Sequence, residues 1–283
     1  MLDVTIRWTL YIVALVVVGP IAGMLMELTS AQSGAAGTPL VSASPVLGVI
    51  GLVLGMVLAT GIGALSAWRC GLRPGLTCAG ITLCWMAGMS SGLTSTIVAA
   101  GHGPWWALII EGVLVAIGLI GLGVALAFAA QHHTPSPTEH VTPQSSEAMA
   151  SEHSLTFSPR SLAAIGVAAI GGAAAAWVLA VTDLRGQVIA AAALSAIAIG
   201  LLIKLVDIKT PAIAALAAAG LLAIASPAYA LVAVPADTAL AAAYAQTLPG
   251  LVLVTPLDWA AGVLLGTPIG LAWAASIVKR AES

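Results

Sequence analysis

Charge is what this chain has least of. Lys and Arg number 9 and Asp and Glu 11 in 283 residues, so 7% of the chain is charged while 60% is hydrophobic. The mean hydropathy is +1.08. A soluble domain carries about 25% charged residues; this composition holds too little polar surface to clothe a water-soluble fold. Cysteine is also scarce. Cys70, Cys78 and Cys84 contain no Cys-x-x-Cys, and Cys78 and Cys84 point about 120° apart on a helix, which argues against a disulfide or zinc site among them. The phosphate-binding G-x-x-x-x-G-K-[ST] is missing, as is H-E-x-x-H, and no histidine falls in the middle of an apolar run. No metal site, cofactor or nucleic-acid partner is therefore expected.

Long apolar runs are abundant. A spanning helix needs about 20 mainly apolar residues, and eight such runs occur, at roughly 8–28, 46–67, 75–98, 105–130, 161–182, 187–206, 211–234 and 258–278. The expected fold is an all-α integral membrane protein with about eight transmembrane helices in a lipid bilayer. Arg7 ahead of the first run resembles the start of a signal peptide. That run exceeds the ~7–15 apolar residues of a signal core, so it is read as a retained span. Residues 131–160 break the pattern with a Pro-, Ser-, Thr-, His- and Glu-rich stretch that reads as a flexible linker. The chain then divides into a first membrane half (1–130), the linker (131–160) and a second membrane half (161–283). With four spans each, the halves share one orientation, an arrangement that hints at duplication.

Basic residues accumulate on the cytoplasmic side of membrane proteins. With eight spans and a cytoplasmic N-terminus, Arg7, Arg69, Arg73, Arg160, Lys204, Lys209, Lys279 and Arg280 fall inside and Arg185 alone falls outside. This places both termini and the linker in the cytoplasm and the protein in the cell membrane. Trp8 and Trp68 then sit at inner ends and Trp105, Trp106 and Trp259 at outer ends, as interface anchors. Lys204 is expected to snorkel to the inner interface.

Three spans carry ridges of small residues at four-residue spacing: Gly51, Gly55, Ala59 and Gly63; Gly80, Cys84, Gly88 and Gly92; Gly262, Gly266, Gly270 and Ala274. Such ridges let helix backbones approach closely where lipid supplies no hydrophobic drive. They fit a tight bundle, a homo-oligomer or contact with membrane partner subunits. Pro20, Pro227 and Pro268 lie inside spans, and each frees a carbonyl one turn earlier. That carbonyl needs protein or water around it. In the outer loop 235–257, Asp237 is expected to cap a short helix from Thr238 to about Gln246, ended by Pro249–Gly250; the segment reads as a surface helix, with a re-entrant segment as the alternative.

The carboxylates are unevenly spread. Glu27, Asp183, Asp237 and Asp258 map to the outer end of the bundle, and Glu111 lies about 7 Å below Trp106 at ~1.5 Å per residue. An ionisable group at that depth is expensive in lipid and turns to the protein interior or a water-filled cavity. Glu111 is the candidate transport or proton site. The whole pattern fits best a small-solute transporter or exporter with an acidic outer vestibule, and next a non-catalytic membrane subunit of a larger complex. A membrane-embedded enzyme fits least, because no paired acid–base or nucleophile constellation stands out.

Overall fold

The computed structural model describes residues 2–29, 37–132 and 158–281, so nearly all of the linker at 131–160 lies outside the described residues. Among those described, the chain is helical throughout, with no strands and one isolated bridge between Thr38 and Val41. The first span runs through α1 (Leu2–Val13), a π turn (Ala14–Val18), α2 (Gly19–Met24) and a 3₁₀ turn (Leu25–Thr29). Pro20, in the first turn of α2, cannot donate to the carbonyl four residues back, and the ladder widens just ahead of it.

The remaining helices are α3 (Pro45–Cys70), α4 (Leu72–Met89), α5 (Leu93–Ala100), α6 (Trp105–Gln131), α7 (Pro159–Leu179), α8 (Arg185–Val206), α9 (Ile213–Ala233), α10 (Ala239–Tyr244), α11 (Gly250–Leu253) and α12 (Pro256–Ala281). Among the described residues seven segments are long and apolar enough to cross a bilayer, and eight if α4 and α5, bent by 43° at their junction, are counted together as one span. Their antiparallel succession gives the bundle an acidic end, with Glu27, Asp183, Asp237 and Asp258, and a basic end, with Arg69, Arg73, Arg160, Lys204 and Lys209.

α12 sits at the centre. It packs most extensively on α8, then on α4, α9 and α6, while α6 and α9 form the other large contact between the halves. The glycines explain the close fit. A Cβ added at Gly262 would lie 2.5 Å from the Ala192 backbone, and ones at Gly266 and Gly270 would overlap the Ala193 and Ile197 carbonyl oxygens of α8. Gly51 backs onto the Leu25 carbonyl, Gly55 onto the end of Met86, and Gly63 onto Ala79 and Gly75. Gly80 meets α12 at Leu264, 2.9 Å from a built Cβ.

The middle ridge fails beyond that point. Gly88 is exposed and a Cβ there would meet nothing within 4 Å, because α4 turns this face away from its neighbours as the span bends. Gly92 makes room for a carboxylate rather than for a helix: Asp183 Oδ2 lies 2.8 Å from where its Cβ would be.

Two of the freed carbonyls end up against glycine. Pro227 releases the Ala223 carbonyl, which meets Gly112 of α6 so closely that any side chain there would overlap it. Pro268 releases the Leu264 carbonyl in the stretch of α12 that abuts Gly80. Both prolines are buried. Small residues opposite a proline let a neighbouring Cα approach the unpaired oxygen.

Several local expectations need correction. Trp105 is 1% and Trp259 0% exposed, so neither is an interface anchor; Trp106, at 66%, is. The Trp105 indole donates to the Val234 carbonyl at 2.9 Å, and Gly103 N donates to the Ala236 carbonyl, tying the start of α6 to the end of α9. Asp237 caps nothing. The short helix α10 has Thr238 as its N-cap residue without a side-chain bond, and Asp237 is exposed. The loop then folds inward, burying Leu251, Val252 and Leu253 of α11, and the Ser226 hydroxyl of α9 donates to the Leu251 carbonyl. Lys204 extends toward the basic end, as expected, but is held by the protein there. It is 8% exposed, and its ammonium donates to the Ile208 and Thr210 carbonyls at 2.9 and 2.7 Å, closing off the C-terminal end of α8.

Candidate functional site

α4 alone is 18 residues long, about 27 Å at ~1.5 Å per residue, close to the ~30 Å of a bilayer core. The break at Ser90–Gly92 therefore falls near the acidic end. A broken helix exposes carbonyls at the end of its first piece and N–H groups at the start of its second. Gly92, the N-cap residue of α5, has no side chain to offer. Both sets of orphans are met by one short segment of the second half, Thr182-Asp183-Leu184-Arg185.

Asp183 caps α5 from across the interface. Its Oδ1 accepts from Leu93 N at 3.1 Å and its Oδ2 from Thr94 N at 2.8 Å. Arg185 serves the other side of the break. Its Nε and Nη2 donate to the Ala87 carbonyl of α4, and Nη2 donates to Ser90 Oγ at 3.0 Å. A negative group at the N-terminus of α5 and a positive one at the C-terminus of α4 match the two helix dipoles. The segment is itself braced, since Gln187 Oε1 accepts from both Thr182 N and Thr182 Oγ1.

Arg185 also makes a two-pronged ion pair with Asp258 of α12, Nη2 to Oδ1 at 2.8 Å and Nη1 to Oδ2 at 3.2 Å. Asp258 is fully buried. Its Oδ2 accepts from Thr255 N at 3.0 Å and Thr255 Oγ1 at 2.6 Å, which closes the first turn of α12 after Pro256. The carboxylate thus starts its own helix and anchors the guanidinium holding the break. Three membrane helices, α4, α8 and α12, meet at this pair.

Glu111 lies nearby on α6, 1% exposed and within electrostatic range of Asp258. The turn Gly37–Val41 covers it, presenting the Thr38 hydroxyl and the Leu40 backbone amide to the carboxylate. Glu27 and Asp237 are exposed at the same end. A cleft of about 220 Å³ opens beside the break, lined by Thr94, Thr182, Asp183, Gln246 and the apolar Leu248 and Leu253 among others. Gln246 at its edge is the single described non-glycine residue with positive φ, at 55°. Among the described residues no group of His, Cys, Asp or Glu could hold a metal ion.

No protein-family model, curated protein or solved structure matches the chain.

Sequence reasoning singled out Asp183 and Asp258 only as helix-end acids and missed the Arg185 partner of Asp258 and the α5 amides held by Asp183. The signal was there: Arg185 is the lone basic residue at the acidic end, and a cation that violates the charge rule has a reason to be buried with an anion. Asp183→Ala is expected to cost about 1 kcal/mol through the lost cap and to speed hydrogen exchange at the Leu93 and Thr94 amides selectively. Exchange at those amides unchanged from wild type would show that the carboxylate does not hold α5.

Proposed function

We propose that this multi-pass membrane protein is a small-solute transporter whose acidic end faces out of the cell. The observation that carries the reading is the span broken at a buried charge pair, beside a cleft lined by polar Thr94, Thr182, Asp183 and Gln246 together with apolar side chains. Interrupted spans line the substrate path in many transporters, because irregular backbone inside a membrane survives only beside a cavity or within protein; this break, near the acidic end, would lie at the outer mouth of such a path. Asp183 and Arg185, two residues apart in the chain, hold the two sides of the break, and Arg185 ties α4 to Asp258 of α12; these few directional contacts, set within a larger packed interface, support a junction that moves locally. The cleft, too small for a drug-sized ligand of ~300 Å³ or more, suits a small solute.

The orientation rests on the eight basic residues at one end and the lone Arg185 at the other. It places the N- and C-termini and the 131–160 linker in the cytoplasm of a cell-membrane protein, with the halves 1–130 and 161–283 as its two units. A single cysteine at Ser146 in a cysteine-free background should resist an impermeant thiol reagent applied to intact cells and react after lysis. Labelling from outside would invert the topology.

Transport itself is tested with purified protein in proteoliposomes, challenged with labelled amino acids, amines, sugars and inorganic cations. At least one should accumulate faster than in empty vesicles, and Asp258→Asn should slow that uptake at least tenfold. A preparation that moves none of them and copurifies in mild detergent with a stoichiometric membrane partner would overturn the transporter reading in favour of a complex subunit.

A further inference from the structure

Glu111 and Thr38 hold the two buried oxygen atoms at the acidic end that lack a hydrogen-bond partner among the described residues, Glu111 Oε2 and Thr38 Oγ1. They face each other across the interface between α6 and the Gly37–Val41 turn. Thr38 is 2% exposed, so water does not reach either atom freely. We propose that Glu111 is a proton-binding site whose acid O–H is donated to Thr38 Oγ1, and that this proton is the ion coupled to solute movement.

The argument is one of charge and valence. A carboxylate enclosed in the bundle needs a cation, and none is left for it. Arg185, the lone basic residue at this end, is committed to Asp258, Ala87 and Ser90. The neighbouring elements bring no other compensation. α12 presents Asp258, a like charge. α3 carries its titratable groups, Arg69 and Cys70, at the opposite end, and α9 has only Tyr229, whose ring packs on Trp177. α4 offers Cys84, half-buried, on the Asp258 side. The Leu40 amide faces the carboxylate but carries only a partial charge.

Donation by the Thr38 hydroxyl would pair the two oxygens but leave the negative charge enclosed; one proton removes that charge and, donated to Thr38 Oγ1, pairs both atoms while breaking no bond. A metal cation fits poorly, because hard cations collect about six oxygen ligands and only two unpaired oxygens are here. Release of the proton restores a negative charge within electrostatic range of Asp258, the partner of Arg185. Arg185 in turn holds the ends of α4 and α12. Protonation of Glu111 and the state of the helix break are thereby linked through the charge on Asp258.

The use of the proton rests on the transporter reading; its binding does not. The test separates them by measuring binding on purified full-length protein carrying ¹³C-labelled glutamate, by infrared spectroscopy near neutral pH. Solvated glutamates, with pKa about 4.3, are then ionised. A ¹³C carboxylic-acid carbonyl band is expected in the wild type, lost in Glu111→Gln and shifted in Thr38→Val. Absence of the band in the wild type overturns the proposal, and this outcome needs no variant to fold. Its persistence in Glu111→Gln, or its indifference to Thr38→Val, does the same. Loss of the band when sodium replaces choline at constant pH would assign the site to sodium instead. Coupling is read in proteoliposomes, where an inward proton gradient should accelerate solute uptake by the wild type and not by Glu111→Gln. A band without any solute flux refutes the transporter reading alone.

Discussion

Arg185→Met should be among the most damaging single substitutions in this protein, lowering stability by about 3–5 kcal/mol, the usual cost of removing one partner from a buried ion pair. The side chain holds three groups at once, Asp258, the Ala87 carbonyl and Ser90, and through them the relation of α4 to α12. Asp258 is 0% exposed, so its carboxylate cannot recover hydration once the guanidinium is gone. The reverse substitution is milder. In Asp258→Asn the amide still accepts from Thr255, and Arg185, whose side chain is 21% exposed, can turn to water. The double variant Arg185→Met/Asp258→Asn should lie well above the sum of the two losses, as expected for groups in direct contact. Thermal unfolding in detergent measures all three. An Arg185→Met protein that melts with the wild type would mean that the pair contributes nothing to holding the helices together.

A graded series of glycine replacements is the second large effect. Gly266→Leu drives a side chain into the Ala193 carbonyl and to within 2.8 Å of Ala196 Cβ, both on α8, whose backbone is fixed by its own hydrogen bonds. Its cost should exceed the ~1–3 kcal/mol of ordinary overpacking, and the protein should fail to accumulate. Gly55→Leu meets the terminal methyl and sulfur of Met86, a flexible chain that can swing aside, so a loss within that ordinary range is expected. Gly88→Leu should change stability by no more than about 0.5 kcal/mol, because that surface is open. The order Gly266, Gly55, Gly88 in detergent melting temperature checks the packing directly. Equal losses at Gly88 and Gly266 would show that the face carrying Gly88 is covered after all.

Span number and span position were legible because they follow from hydrophobic length alone: runs such as 46–67 and 105–130 sit inside Pro45–Cys70 and Trp105–Gln131. The bend at Ser90–Gly92 was not. Glycine and serine are ordinary in membrane helices, and what separates α4 from α5 is a carboxylate and a guanidinium 89 to 98 residues away in the chain. Nor did spacing distinguish Gly266, pressed on a helix, from Gly88, pressed on nothing, since a four-residue period fixes a face but not what the face meets. Glu111 was legible as an exception to its surroundings. Its neighbour Thr38 was not, because a threonine in a connecting segment carries no pattern. Trp105 and Trp259 misled for a related reason: an indole near a helix end suits both an interface and a buried hydrogen bond, and local sequence does not separate them.

The central position of α12 bears on how the protein is made. Every helix it touches precedes it in the chain. During synthesis α8 enters the membrane with Arg185 before Asp258 exists, and the groove that will receive Gly262, Gly266 and Gly270 stands open to lipid. The earlier spans must therefore wait in a half-assembled state, with a lone guanidinium near one surface, until residues 256–281 emerge and dock. A ribosome stalled shortly before residue 256 would leave a nascent chain with seven inserted spans and its arginine still unpaired, the kind of exposed intramembrane charge that membrane quality-control proteases can read as unfinished.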